Sequence, residues 1–175
     1  MREILSPDEA AQGLERLAAQ IVRRAGHADH IAIVGIRRGG PPLAEHIASL
    51  IKRDTLVEVP MGAVDITLYR DDAPTPLPNP RIGTSDVPFD VRTKRIVLVD
   101  DVLYTGRTVR AALHALLDYG RSQAIMLAVL VDRGGRELPI QADFVVKTEE
   151  VVPPDRVEVE VLEDGFRAFV MPGSA

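Results

Sequence analysis

Asp100 and Asp101 close the apolar run Ile96-Val97-Leu98-Val99 and are soon followed by Thr105-Gly106-Arg107-Thr108. A short run rich in β-branched residues reads as a buried parallel strand, here introduced by Arg95. In an open α/β sheet, ligands gather at the carboxyl ends of strands, and the start of a helix offers free N–H groups to an anion. Two acids followed by a Thr/Gly turn therefore suit a polyol phosphate such as ribose 5-phosphate, with the diol on the carboxylates and the phosphate in the turn. The same two acids also suit metal ligation, general acid/base work or the capping of an exposed turn. Neighbours on an extended segment point in different directions, so adjacency alone does not make them a coupled pair.

Two further polar loops follow apolar strand patterns. Ile31 to Val34 leads into Gly35-Ile36-Arg37-Arg38-Gly39-Gly40-Pro41-Pro42, where two arginines among glycines make an anion loop or simply a solubilising one. Ala124 to Val131 leads into Asp132-Arg133-Gly134-Gly135-Arg136-Glu137, again where a ligand is expected. No Gly-x-x-x-x-Gly-Lys-Ser/Thr loop is present, and the Gly35 region lacks dinucleotide spacing. His27, His30, His46 and His114 have no zinc-binding spacing, and His114 reads as a surface or packing residue.

The elements that position these loops follow from periodicity. Ser6-Pro7-Asp8-Glu9 has the order of a capped helix start, and Ala10, Leu14, Leu17, Ala18, Ile21 and Val22 recur at helical spacing up to Gly26. A second helix is expected from about Leu43 to Lys52, and a third after Thr108 with Val109, Ala112, Leu113, Leu116 and Leu117 inward, ended by Gly120. Strands are expected at Leu56 to Val59, at Val64 to Arg70 and at Asp143 to Lys147. Val157 to Val161 and Phe166 to Val170, around Asp164-Gly165, predict a hairpin with Glu158 and Glu160 on its wet face. Between Asp71 and Asp90 lie five prolines, which forbid a regular helix or central strand. With Arg70 before it and Arg81 inside it, this stretch is expected to be a mobile cover over the acids.

The 175 residues suit one domain, with no internal repeat or linker. A hydrophobic share of 46% excludes a disordered chain, and no apolar run approaches a membrane crossing. No cysteine is present, which excludes disulfides and thiolate chemistry, and the beginning MREILSPDEA lacks a signal-peptide pattern. A cytoplasmic enzyme is expected. The net charge of −5 gives no overall attraction to nucleic acid.

Val97 to Val109 (Val97, Leu98, Val99, Asp100, Asp101, Val102, Leu103, Tyr104, Thr105, Gly106, Arg107, Thr108, Val109) resembles the phosphoribosyl pyrophosphate (PRPP) motif of type I phosphoribosyltransferases. Three further blocks, residues 65–72, 127–134 and 136–140, narrow the resemblance to the PyrR family of pyrimidine operon attenuation regulators and uracil phosphoribosyltransferases, over about residues 3 to 162. The resemblance implies an α/β type I phosphoribosyltransferase fold, a mainly parallel sheet flanked by helices with a flexible β-arm and a small accessory hairpin, as a single domain over 1–175. It implies that uracil N1 attacks C1 of PRPP, giving uridine monophosphate (UMP) and pyrophosphate, with a magnesium ion accompanying PRPP. It places Asp100 and Asp101 beneath the ribose hydroxyls, Thr105 to Thr108 around the 5-phosphate, and Arg37, Arg38 and Gly39 at the pyrophosphate. Asp100, Asp101 and Arg38 are then the expected catalytic residues, Asp132 and Arg133 the nucleobase contacts, and Tyr69 and Arg70 the base of the lid. A homo-oligomer built on a dimer, uridine-nucleotide effectors and a pyrimidine operon leader RNA are the implied partners.

The chain departs from the family at informative places. The family pattern Gly-Ile-x-Thr-Arg-Gly becomes Gly35-Ile36-Arg37-Arg38-Gly39-Gly40, which moves the cation one position earlier. Gly135 and Gln141 replace a histidine and an arginine, and nine acids from Glu137 to Asp164 face only Lys147 and Arg156 between them. RNA attachment is therefore expected to be weaker and more salt-sensitive than nucleotide binding. Two further functional expectations follow: a nucleotide sensor with little turnover, or a transferase without RNA binding. A purine phosphoribosyltransferase is disfavoured by the blocks outside the central motif.

Overall fold

A computed structural model describes residues 1–71 and 85–173. Its main sheet is built from five parallel strands, β2 (Ile31–Ile36), β3 (Met61–Val64), β4 (Arg95–Leu103), β5 (Ala124–Asp132) and β6 (Phe144–Thr148), in the order β3-β2-β4-β5-β6. Side chains alternate across it. Ile33, Val97, Val99, Ala128 and Leu130 pack on one face against helices α1 (Pro7–Ala25) and α2 (Gly40–Thr55). Ala32, Val34, Ile96, Leu98, Leu127 and Val129 pack on the other against helix α3 (Arg107–Leu117). The strands read as continuous apolar runs because both faces are covered.

The helix following β2 and the helix following β4 thus leave the sheet on opposite faces. Because β2 and β4 are neighbours, their carboxyl ends diverge into a crevice, which is where open α/β sheets take their ligands. This is the structural reason that the loop after Ile36 meets the carboxyl end of β4.

Local signals are obeyed closely at α1. Ser6 accepts a hydrogen bond from the Glu9 N–H, and the Glu9 carboxylate accepts from the Ser6 N–H at 2.9 Å, a complete capping box worth about 1 kcal/mol. The Glu9 carboxyl is held below its ordinary value by these Ser6 bonds. The hairpin is present as β7 (Arg156–Leu162) and β8 (Gly165–Met171), with Glu158 and Glu160 exposed. It is joined, however, by β1 (Arg2–Leu5), so the accessory unit is a three-stranded sheet, β1-β8-β7. Ile4, Phe166, Ala168 and Val170 bury its inner face in the α1/α2 core.

Three expectations are corrected. No strand spans Leu56 to Val59: α2 runs on to Thr55 and Leu56 caps it in the left-handed region at φ 63°. The strand is instead Met61–Val64, whose register is set by β2 through pairs from Ile33↔Met61 to Ile36↔Val64. Val64 to Arg70 is not a half-buried strand. The Asp65 carboxylate accepts the Thr67 N–H at 2.9 Å, and the chain turns into a single 3₁₀ turn over Thr67–Tyr69. Finally, β4 does not stop before the acids but continues through them to Leu103, because β5 is long enough to pair with Asp100, Val102 and Leu103.

Of the proline-rich stretch, the return is visible as an isolated antiparallel bridge between Ala63 and Asp86. Residues 72–84 of the expected cover, Arg81 among them, lie outside the described residues. No helix among the described residues is long and apolar enough to cross a membrane.

Candidate active site

The crevice holds two adjoining cavities. One, of about 670 Å³, is walled by Arg37, Arg38 and Gly39 after β2, by Asp65, Ile66, Thr67 and Arg70 after β3, and by Asp100, Asp101 and Val102 of β4. The other, of about 360 Å³, is the turn from Val102 to Val109, with Glu137 at its edge. Val102 and Thr108 belong to both, so a ligand can run from one into the other.

Asp100 is buried, at 6% exposure, and Asp101 is partly exposed. Burial first, and the neighbouring Asp101 charge second, push the Asp100 carboxyl well above its ordinary value. The two are linked in series along the strand: Asp101 N–H donates to Asp100 Oδ1 at 2.9 Å, and Val102 N–H donates to Asp101 Oδ1 at 2.8 Å. Opposite them the Arg37–Arg38 peptide is cis, and both arginines line the larger cavity.

Asp65 joins this group, although no role was expected of it from the sequence. Burial works to raise its carboxyl, but hydrogen bonds from Thr67 and the charges of Arg37 and Arg38 outweigh it and hold the value low. The alternating pattern from Val64 to Arg70 points to the interior of a strand, whereas Asp65 directly follows the carboxyl end of β3.

The smaller cavity is shaped by Gly106, which precedes α3 at φ 91° and ψ −6°. This left-handed residue turns the chain so that α3 starts at Arg107 with its first N–H groups facing the turn. The segment after β5 braces it. Glu137 and Leu138 N–H groups both donate to Thr105 O, at 2.9 and 3.1 Å, and Arg136 Nη1 donates to Tyr104 O at 2.8 Å. Arg107 faces two carboxylates, Glu137 Oε2 at 2.6 Å and Asp71 Oδ2 at 2.9 Å. Those bonds, Glu137 first, hold its guanidinium more firmly protonated.

Two expected groups stand elsewhere. Asp132 accepts from Gly134 N–H at 3.1 Å and from Arg136 Nη2 at 2.5 Å. Arg133 is buried, its Nη2 donating to Val151 O and Asp155 O, each at 2.9 Å, and its guanidinium lying 4.0 Å from the Tyr104 ring centroid. Neither residue lines the two cavities. Arg70 lines the larger one, whereas Tyr69 turns outward onto α3, bonding Asp118 through its hydroxyl and meeting the His114 ring at 4.8 Å. Asp65, Asp100 and Asp101 all line the larger cavity, but among the described residues no three metal-binding side chains come together as a site.

Comparison with known proteins agrees with this geometry. Residues 1–163 match the family model described as phosphoribosyl transferase domain. Bifunctional protein PyrR of Deinococcus radiodurans is 52% identical over 160 residues, covering 91% of this chain and 87% of that protein. Bifunctional protein PyrR of Chloroflexus aurantiacus is 49% identical, covering 99% of this chain and 97% of its own length. The chain belongs to the PyrR family of phosphoribosyltransferases. Solved structures share the fold at much lower identity: a hypoxanthine-guanine phosphoribosyltransferase from Bacillus anthracis has a TM-score of 0.70 at 16% identity, covering 98% of both chains. A hypoxanthine phosphoribosyltransferase from Trypanosoma cruzi, solved with its product IMP, has a TM-score of 0.67 at 17% identity, covering 85% of this chain and 76% of its own. At that distance PyrR membership rests on the relatives, and the purine enzymes testify to the fold alone.

Proposed function

We propose that the chain is a PyrR-type uracil phosphoribosyltransferase, converting uracil and PRPP to UMP and pyrophosphate, and a uridine-nucleotide-responsive regulator of pyrimidine operon transcription. One observation carries the catalytic half: a buried carboxylate beside a second one, at the crevice between β2 and β4, opens directly into a glycine-shaped turn at a helix start. In this reading the turn from Thr105 to Thr108 takes the 5-phosphate on backbone N–H groups, and Asp100 and Asp101 accept the ribose hydroxyls. Arg37 and Arg38 face the pyrophosphate, and Arg38 offsets its charge as it departs. The nucleobase lies toward the Asp132-Arg133 segment, which would act by holding Tyr104 and the phosphate turn in place. Tyr69 and Arg70 form the base of the lid.

Carboxylate oxygens suit a hard cation, so Asp100 and Asp101 would stand beside a magnesium ion brought in with PRPP. When bound, the ion supplies charge neutralisation for the leaving pyrophosphate. The remaining work falls to the chain: the carboxylates orient the ribose, the arginines hold the leaving group, and the phosphate turn fixes the far end so that C1 faces the base.

Incubating the purified protein with magnesium, PRPP and separate samples of uracil, hypoxanthine and guanine tests this directly. UMP formed only with uracil is the expected result, and reaction only with a purine refutes it. A sensor with little turnover is the second reading, favoured by Gly39 standing where the family carries arginine. Nucleotide binding without any product supports it.

For the regulatory half, the leader RNA contact is proposed as weak. Arg133 is buried and Arg136 is tied to Asp132, so neither guanidinium is freely offered to phosphates, and the exposed Arg24 is shared with Asp143 at 3.2 Å. We further propose a cytoplasmic, single-domain chain that assembles as a homodimer or a multiple of it, which light scattering over a concentration series measures.

A further inference from the structure

We infer that Gly39 is a positioning residue: it is glycine so that the Asp101 carboxylate can stand against the loop that follows β2. This rests on the site reading above only for its catalytic consequence. The backbone at Gly39 is ordinary, with φ −76° and ψ −21°, a conformation open to any residue. Its special requirement is space. A Cβ built there would lie 2.2 Å from Asp101 Oδ2, 2.3 Å from Cγ and 2.7 Å from Oδ1. All three are far inside van der Waals contact, so a side chain at 39 and the carboxylate cannot share this arrangement.

The loop has little room to yield. A Cβ on the next residue, Gly40, would come within 2.3 Å of Val99 O, which shows how closely the loop backbone lies on the end of β4. Asp101 is the mobile partner: its carboxylate is the far end of a side chain that can turn about its own bonds, and among the described residues it accepts from Val102 N–H at 2.8 Å. A side chain at 39 therefore swings the carboxylate out and breaks that bond. The family pattern carries arginine at this position, and here the neighbouring Arg38 lines the same cleft as Asp101. Residues 38 and 39 thus act as a pair: the cation sits one place earlier, and the vacated side-chain volume belongs to Asp101.

The full chain labelled with ¹⁵N tests this through the Val102 amide. Gly39→Ala is expected to move that resonance in the direction that Asp101→Ala moves it, and the double variant is expected to coincide with Asp101→Ala alone. In turnover, Gly39→Ala lowers kcat/KM about tenfold beside Asp101 and less than about twofold in the Asp101→Ala background, the non-additivity of groups in contact. An unmoved Val102 amide, or two shifts that simply add, overturns the inference. If Gly39→Ala disturbs the fold, recovery of the circular dichroism spectrum in the double variant supports the same contact, and failure to recover refutes it. Coupled amide shifts with no uracil transfer in any protein, the unaltered one included, would uphold the positioning role and refute the catalytic reading.

Discussion

Gly106→Ala measures how much of the function rests on the shape of one turn. At φ 91° an alanine carries the left-handed penalty of about 1–2 kcal/mol. Its Cβ would also stand 3.2 Å from Ile140 Cβ and 3.4 Å from Leu138 Cβ, so the bracing segment must retreat by a few tenths of an ångström. Together these cost about 2 kcal/mol, which lowers the midpoint of a chain this size by about 4–8 °C. The functional effect is larger. Each N–H bond to a charged phosphate is worth about 1.5–3 kcal/mol, so misdirecting one raises KM for PRPP by about tenfold to a hundredfold. Gly120→Ala is the control. Gly120 also has positive φ, at 123°, but the nearest neighbours of its Cβ would be the Arg92 and Val91 side chains, which line neither cavity. Urea unfolding of both variants and initial rates against PRPP concentration separate the two effects. If KM rises no more in Gly106→Ala than in Gly120→Ala, the turn is not the phosphate cradle.

Three other perturbations have definite signs. Burial and the Asp101 charge raise the Asp100 pKa above its unfolded value, so the protonated group's contribution to stability is complete below about pH 3.9 and is lost as pH climbs through the raised value. Asp100→Asn abolishes that loss: its urea midpoint exceeds that of the unaltered protein at neutral pH, the gap narrows in acid, and UMP formation collapses; equal midpoints at every pH would contradict this. Glu137→Gln releases Arg107 from one of its two carboxylates at a partly exposed site, so KM for PRPP falls by less than about fivefold, and least in high salt; a rise in KM would show that the pair supports the cradle. In gel shifts, leader RNA and a scrambled hairpin of equal length are expected to bind alike and to weaken together with salt; tight, UMP-enhanced, leader-specific binding refutes that expectation.

Features carried by contiguous residues were readable from the chain alone. The capping box at Ser6, the buried runs of β2, β4 and β5, the hairpin around Asp164-Gly165 and the acid-turn motif all depend on local propensity, periodicity and capping. These decided the fold class and brought attention to Asp100, Asp101 and Thr105 to Thr108. Only the tertiary structure decided what depends on a distant partner. Met61–Val64 is a strand because β2 supplies its ladder, and Arg2–Leu5 is one because β8, at the other end of the chain, pairs with it. The same cause governs the site. Arg133 has the chemistry of a ligand contact, but carbonyls of Val151 and Asp155 claim its guanidinium, while Asp65 enters the cleft just beyond a strand whose register no local pattern fixes. Gly39 looks like a flexible loop residue until Asp101 is seen against it. Backbone propensity acts over a few residues, and side-chain space and hydrogen-bond competition act between segments that meet only after the sheet has formed.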